Sequence, residues 1–172
     1  MSTRTLIAAL ACTAAFQAPI AHAADEPGAL IACGTTGEDR VTTRGEALTR
    51  SQSWLDARVP YSQQACHENE HGSYRTDCSG YVSMAWGLTH SRTTGTLRDV
   101  ATGIPHADLR PGDALTTSYH AALFVRWADD AKSEPVVREQ TGPDGAPPVE
   151  RKWTAQTASA YTAIRYYRVV ED

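Results

Sequence analysis

The sequence predicts an α+β domain in which two helices precede a run of antiparallel strands. The first helix begins in the capping box Thr43-Arg44-Gly45-Glu46, with Thr43 at the N-cap and Glu46 at N3, and ends at about Ala57, and the second extends from Cys78 to Trp86. The last third of the chain instead contains short β-rich runs separated by Gly, Pro, Asp and Ser. Helices that precede the strands, rather than alternating with them, are typical of the α+β class.

The beginning of the chain has the composition of a secretory signal peptide. A positive residue and a short apolar stretch precede Ala21-His22-Ala23, which has the A-x-A pattern of a cleavage site. We therefore expect a signal peptide at 1–23, an N-terminal extension at 24–40 and one folded domain at 41–172. The mature protein is then secreted, outside the cell.

Composition argues against two classes of partner. The net charge of −4 is unfavourable for sequence-independent nucleic-acid binding, which depends on a basic face. No stretch after the leader is long and apolar enough to span a membrane as a helix. Several basic residues come late in the chain, and we interpret them as solvent-facing strand positions that indicate no partner: Arg138, Arg151, Lys152, Arg165 and Arg168. A monomer is the default expectation.

Three cysteines follow the predicted leader, namely Cys33, Cys66 and Cys78. Cysteines of exported proteins tend to pair, and an odd number leaves one thiol free. Cys33 and Cys66 lie in polar, loop-like segments, whereas Cys78 begins a helix. We predict a Cys33–Cys66 disulfide and a free Cys78.

Cys78 has the surroundings that a nucleophilic cysteine needs. Apolar residues recur at helical spacing from Cys78 to Trp86, with Asp77 as a suitable N-cap and Gly87 as a suitable C-terminal stop. In the first turn, unpaired backbone N–H groups and the positive end of the helix dipole favour a thiolate over a thiol. The alternative interpretation is a small buried hydrophobe.

A cysteine nucleophile requires a base and a third group that orients it, and His120 is the best candidate for the base. His120 alone among the histidines after the leader begins a predicted buried strand. If that strand forms a hairpin with the strand at 136–140, Glu139 and Gln140 are the nearest polar residues. They point to opposite faces, and the sequence leaves open which points inward. We expect Glu139, with Gln140 as the alternative.

Zinc chemistry is a weaker alternative. The segment His67-Glu68-Asn69-Glu70-His71 matches the H-E-x-x-H pattern, in which His67, Glu68 and His71 would act on one face of a packed helix. This segment has no apolar face, so we interpret 63–74 as a polar insertion and expect no metal or cofactor. The stretch Thr89 to Gly103 is rich in Thr, Ser and Gly and is expected to be a long loop.

Four motifs occur in a characteristic order. Asp77-Cys78-Ser79-Gly80-Tyr81-Val82 is preceded by Val59-Pro60-Tyr61 and followed by Arg110-Pro111-Gly112-Asp113 and then by the strand that His120 begins. From about residue 44 to the C-terminus, this pattern resembles the NlpC/P60 family of papain-like cysteine peptidases.

The resemblance implies a papain-like fold, with Cys78 as nucleophile, His120 as base and the Tyr61 hydroxyl near the nucleophile. Asp77 and Ser79 are the expected supporting residues beside it. The implied substrate is a bacterial cell-wall (peptidoglycan) stem peptide, cut at or near the bond between D-glutamate and the diamino acid.

The chain departs from the family pattern at two positions. The third residue of the family is commonly His, Asn or Gln, whereas Glu139 is acidic, and the insertion at 63–73 replaces what is often a short glycine-rich connection. The same fold could alternatively serve an acyltransferase or a secreted binding protein without catalysis.

Overall fold

A computed structural model describes residues 31–172, and these residues form an α+β fold. The predicted signal peptide and residues 24–30 of the predicted extension lie outside the described residues. Among residues 31–172, no helix is long and apolar enough to cross a membrane. The helices and strands follow in the order β1 (Thr42–Thr43), α1 (Arg44–Ala57), β2 (Cys66–Asn69), β3 (Gly72–Arg75), α2 (Cys78–Trp86), β4 (Ala101–Gly103), β5 (Ala114–Thr116), β6 (Ala121–Trp127), β7 (Pro135–Glu139), β8 (Val149–Lys152), α3 (Ala155–Ser159), β9 (Thr162–Tyr166) and β10 (Val169–Val170).

The main sheet has six strands in the order β4-β9-β5-β6-β7-β8, and every neighbouring pair is antiparallel. β2 and β3 form a separate antiparallel hairpin, and β1 pairs in parallel with β10. The predicted α+β class is confirmed at this level: α1 and α2 precede all six strands of the antiparallel sheet, although the short helix α3 lies between β8 and β9.

Helix α1 begins at the predicted capping box. The Thr43 hydroxyl accepts a hydrogen bond from the Glu46 backbone N–H, and the Glu46 carboxylate accepts one from the Thr43 backbone N–H at 2.8 Å. The two bonds satisfy N–H groups that have no acceptor within the helix. This local chemistry explains why the start of α1 could be predicted to the residue.

Helix α2 is enclosed by the rest of the protein, because all nine of its residues are buried. Val82, Ala85 and Trp86 pack in one apolar cluster with residues of β5, β6 and β9. Gly87 ends the helix with φ at +69°, a left-handed conformation that glycine adopts without strain. The packing fixes the N-terminus of α2, and with it Cys78, against one end of the sheet.

Two segments expected to be loops have regular structure. The polar insertion at 63–74 contains most of the hairpin β2–β3, whose two-residue turn is Glu70-His71. The stretch from Thr89 to Gly103 contains a short 3-10 helix, Thr96–Val100, and the edge strand β4, which pairs with β9. Both expectations were wrong because these elements bury few apolar side chains, so their strands show no hydrophobic alternation.

The disulfide predicted between Cys33 and Cys66 is present, with the two Cα atoms 5.8 Å apart, and Cys78 is free. It ties the segment before α1 to strand β2. The same segment is bonded to the chain after α2, because the Thr35 backbone N–H donates to the Thr89 carbonyl. Residues 31–40 are therefore attached to the domain at more than one point.

The Arg-Pro-Gly-Asp turn before β5 links three parts of the fold. Asp113 is fully buried and forms ion pairs with Arg44 of α1, at 3.2 Å, and with Arg165 of β9, at 2.7 Å. Its carboxylate also accepts a hydrogen bond from the Arg110 backbone N–H. Arg165 was expected to be a solvent-facing strand residue; it is instead a partner of a buried carboxylate.

Candidate active site

A cleft of about 520 Å³ lies where the N-terminus of α2 meets the ends of β6 and β7. Its walls contain the predicted nucleophile and base, the predicted third residue and a group of aromatic and basic side chains. The lining residues are Tyr61, Cys78, Tyr119, His120, Glu139, Thr141, Gly142, Arg151, Lys152, Trp153, Thr154, Thr157 and Tyr161.

Cys78 is the first residue of α2, and a buried polar cluster holds the turn before it. Asp77 is the N-cap, and its carboxylate accepts a hydrogen bond from the Gly80 backbone N–H at 2.8 Å. The other Asp77 oxygen pairs with the buried Arg75 guanidinium at 2.7 Å, and Arg75 also donates to the Ser79 hydroxyl at 3.0 Å. Asp77 and Ser79 thus fix the backbone on both sides of Cys78 and do not extend into the cleft.

Gly80 is required by a close backbone contact. A Cβ atom at this position would lie 1.8 Å from the Arg75 carbonyl oxygen, far inside van der Waals contact. The chain that leads into α2 therefore crosses directly over its first turn. This approach explains why a glycine follows Cys78 and Ser79.

His120 lies immediately before β6 and is held from several sides. Its Nε2 atom forms a hydrogen bond of 2.6 Å with Glu139 Oε2 at the end of β7. The Trp153 ring lies 6.3 Å from the imidazole and the Tyr161 ring 6.2 Å, the latter edge-on. The His120 backbone N–H donates to the Thr117 hydroxyl, which fixes the turn before β6. The imidazole is therefore positioned by packing as well as by its polar partner.

Glu139 is 1% exposed and its two oxygens accept three hydrogen bonds. Oε2 faces His120, while Oε1 accepts from Arg151 Nε at 2.5 Å and from Trp153 Nε1 at 3.0 Å. Burial alone would raise the pKa of Glu139, but the bonds from His120, Arg151 and Trp153 outweigh it and lower the pKa below its ordinary value. Glu139 is thus a buried, ionised carboxylate at neutral pH.

His120 interacts with both other members of the group. Burial would lower its pKa, but hydrogen bonds and charge interactions with Cys78 and Glu139 outweigh this effect and raise the pKa to about 9. Because Nε2 faces Glu139, Nδ1 is the ring nitrogen that remains for Cys78. The order Cys78, His120, Glu139 is that of a nucleophile, a base and a carboxylate that orients the base.

No protein-family model matches this chain, and no curated protein matches it. The geometry of the cleft, rather than a relative, therefore indicates what chemistry the protein can perform. Three side chains from separate elements converge there, and two of them are joined by a short charge-assisted hydrogen bond.

Of the two candidates for the third position, Glu139 contacts His120 and Gln140 does not. The β6–β7 register pairs Leu123 with Arg138, so residue 139 lies on the same sheet face as His120 and residue 140 on the opposite face. Gln140 is fully buried there and donates to the Val59 carbonyl at 2.9 Å. It ties the chain after α1 to the sheet.

Tyr61 lines the cleft beside Cys78, as the resemblance implies. Burial, together with the nearby charges of Cys78 and Asp77, raises the pKa of its hydroxyl above the ordinary value. The hydroxyl is thus protonated well beyond neutral pH and can donate a hydrogen bond. Its backbone is held by the loop after β7, because Tyr61 N–H donates to the Ala146 carbonyl at 2.8 Å.

The H-E-x-x-H segment does not form the helix that its zinc chemistry requires. His67 lies in strand β2 with its ring edge-on to Trp54 at 5.5 Å, while Glu68 is the next residue of the strand and His71 is in the hairpin turn. The two histidines therefore do not share a helix face. Within residues 31–172, no group of three or more His, Cys, Asp and Glu side chains is arranged to hold a metal ion.

Arg151 and Trp153 contact Glu139, and neither contact is predictable from the sequence alone. Arg151 was interpreted as a solvent-facing residue, and 56% of its side chain is exposed, but its Nε atom is also bonded to the buried Glu139 carboxylate. The β7–β8 register pairs Val149 with Glu139, so Arg151 lies diagonally across from it on the same face. Only this pairing reveals the contact, and a basic residue on a strand carries no such signal by itself.

Proposed function

We propose that this protein is a secreted cysteine peptidase or amidase of the papain-like NlpC/P60 type, which hydrolyses amide bonds in bacterial cell-wall stem peptides. The observation that carries the proposal is the convergence of Cys78, His120 and Glu139 in one cleft, with His120 bonded to Glu139 at 2.6 Å. The order of motifs along the sequence supports the family and the substrate class.

The proposed reaction is acyl transfer through a thioester. The Cys78 thiolate, paired with the His120 imidazolium, attacks the carbonyl carbon of the amide. His120 then donates its proton to the leaving nitrogen, the C–N bond breaks, and the acyl group remains on the sulfur. In the second half, His120 removes a proton from water, which attacks the thioester carbonyl; the C–S bond breaks, the carboxylic acid is released, and the pair of Cys78 thiolate and His120 imidazolium is restored.

Two donors are available for the negative oxygen that forms during each attack. The Cys78 backbone N–H is at the start of α2, where N–H groups have no acceptor within the helix. The Tyr61 hydroxyl lines the same cleft and is protonated at neutral pH, as a tyrosine with the ordinary pKa of 10 already is, and its pKa is raised further. Donors fixed in advance stabilise the transition state without reorganisation.

Glu139 supports the reaction through His120. Its buried charge favours the imidazolium and keeps a proton on Nε2, so that Nδ1 faces the sulfur. Arg151 and Trp153 in turn hold the Glu139 carboxylate by its other oxygen. An acidic third residue is therefore compatible with the chemistry, although it departs from the family pattern.

The test is mass spectrometry of purified muropeptides after incubation with the mature protein and with its Cys78→Ala variant. We expect the mature protein to shorten the stem peptides and the variant to leave them intact, with the variant's folding checked by circular dichroism. Iodoacetamide should abolish the activity and a chelator should not. Hydrolysis by Cys78→Ala at the full rate, or no hydrolysis of any muropeptide by the mature protein, would contradict the proposal.

A further inference from the structure

The lining of the cleft contains more cationic than anionic side chains, although the whole chain is acidic. The protein has a net charge of −4, yet the cleft lining contains two permanent cations, Arg151 and Lys152, and a single carboxylate, Glu139. Both oxygens of Glu139 are already engaged by His120, Arg151 and Trp153. Whether this lining can bind an anionic group therefore depends on which of its cations keeps donors that the protein does not use.

Arg151 has donors that the protein does not use. Its Nε atom donates to Glu139 Oε1, which fixes the plane of the guanidinium. The terminal nitrogens Nη1 and Nη2 have no hydrogen-bond partner among residues 31–172, and 56% of the side chain is exposed. A guanidinium with its plane fixed and two free terminal N–H groups matches a carboxylate, which it can bind through two parallel hydrogen bonds.

The terminal nitrogen of Lys152, unlike those of Arg151, is occupied by a partner within the protein. Its ammonium donates to Glu134 at 2.7 Å and is already paired. Successive residues of a strand point to opposite faces, so Arg151 and Lys152 are directed differently although both line the cleft. Lys152 therefore provides a control in which a cation of the same cleft is removed without removing the unpaired donors.

The position of Arg151 relative to His120 indicates which part of the substrate it contacts. His120 must reach the nitrogen of the leaving amine in order to protonate it. Glu139 lies on the side of His120 away from Cys78, and Arg151 lies beyond Glu139. Arg151 therefore contacts Glu139, the partner of the base that protonates the leaving amine, and on this ground we assign it to that side of the cleft.

We infer that Arg151 binds a free carboxylate on the leaving-amine side of the scissile amide, and that the enzyme prefers substrates whose released amine carries such a carboxylate. This inference rests on the proposed function, because it assumes that His120 protonates a leaving amine. Arg151 is then a specificity-determining residue that also positions Glu139, and the two roles use different nitrogens of one guanidinium.

The test uses two probes that differ in one group, N-acetyl-L-alanyl-γ-D-glutamyl-L-lysine and the same peptide ending in lysinamide. In hydrolysis by the unmodified enzyme, we expect kcat/KM to be higher for the carboxylate probe than for the amide probe. The difference should be roughly tenfold to a hundredfold, which is the effect of losing one hydrogen bond between charged groups. Arg151→Gln should bring this ratio close to one, while Lys152→Gln should leave it unchanged. The loss of Glu139 positioning in Arg151→Gln slows both probes by a common factor and cancels in the ratio.

A binding arm separates this inference from the proposed function. In the Cys78→Ala background, where the probes are not turned over, calorimetry gives their dissociation constants with and without Arg151→Gln. We expect the carboxylate probe to bind more tightly, and Arg151→Gln to remove the difference. If the unmodified enzyme cleaves neither probe, the proposed function fails. The ratio of the two dissociation constants then still shows whether Arg151 binds the carboxylate. Equal affinities for the two probes, or a preference that survives Arg151→Gln, would overturn the inference.

Discussion

Replacing Glu139 with glutamine changes one oxygen to an NH2 group and keeps the shape of the side chain. Oε1 of Glu139 accepts hydrogen bonds from both Arg151 and Trp153, so the amide oxygen of glutamine must occupy that position. The NH2 group then faces His120 Nε2, which accepts a hydrogen bond from it. The ring proton is forced onto Nδ1, towards Cys78, and the imidazole in this tautomer cannot accept a proton from the thiol.

The expected loss is large because the variant holds the base in the wrong tautomer. Substitutions of this kind in a nucleophile–base–carboxylate group lower kcat by about 10⁴-fold, which corresponds to about 5 kcal/mol in activation free energy. The fold should persist, since the hydrogen bonds from Arg151 and Trp153 to the side chain are retained.

The assay is the initial rate of hydrolysis of an acetylated γ-D-glutamyl-lysine peptide, with Glu150→Gln as a matched control. Glu150 lies on β8 and pairs with Arg138 at 2.8 Å outside the cleft, so its substitution should change kcat by no more than roughly twofold. If Glu139→Gln keeps kcat within tenfold of the unmodified enzyme, Glu139 does not orient the base and the reasoning is refuted.

The pH dependence tests the same interaction. The pKa of His120 is raised to about 9, so kcat/KM should fall as the pH rises through about 9, where the imidazolium loses its proton. In Glu139→Gln the carboxylate no longer favours the imidazolium, and this limb should move to lower pH. The protonated His120 also stabilises the fold. Because its pKa in the folded protein lies above the ordinary value of 6.5, its contribution to the free energy of unfolding is complete below pH 6.5 and is lost as the pH rises through about 9. A high-pH limb unchanged by the substitution would contradict this assignment.

Two further predictions concern stability and are measured by urea denaturation. Gly80→Ala should lower the free energy of unfolding by about 3 kcal/mol or more, because its Cβ would lie 1.8 Å from the Arg75 carbonyl oxygen. Gly95→Ala is the control, since its nearest neighbour would be at 3.8 Å, and it should cost no more than about 0.5 kcal/mol; equal effects of the two substitutions would contradict the close approach. Replacing Cys33 and Cys66 with serine opens a loop of 33 residues and should cost about 3–4 kcal/mol by the chain-entropy relation, so an unchanged unfolding midpoint would argue against the bond.

The two main helices could be predicted from the sequence because their signals are local. The capping box of Thr43 and Glu46 involves residues three apart, and Asp77 and Gly87 mark the two ends of α2. Such signals depend on a few neighbouring residues and not on the rest of the fold.

The hairpin β2–β3 and strand β4 could not be predicted in the same way. The Cys66–Asn69 strand is polar and largely exposed, so it lacks the alternation that identifies a half-buried strand. β4 pairs with β9, more than sixty residues later, and is only Ala101–Gly103. Their strand structure comes from pairing between backbones, which the side chains of these segments do not encode.

The candidate site was predictable in part. Strand periodicity places Glu139 and Gln140 on opposite faces of β7, but only the β6–β7 register determines which of them shares a face with His120. Arg151 could not be identified, because its role depends on a diagonal contact across the β7–β8 pair. A residue whose function is set by a cross-strand neighbour requires the register, and one sequence does not give it.

Detection of an acyl group on Cys78 tests the central claim most directly. The mature protein is mixed with a cleavable muropeptide, quenched in acid during turnover and measured by intact-protein and peptide mass spectrometry. We predict an adduct with the mass of the acyl part of the substrate, confined to the peptide that contains Cys78 and released by hydroxylamine. Turnover without any such adduct, together with undiminished hydrolysis by Cys78→Ala, would contradict the account.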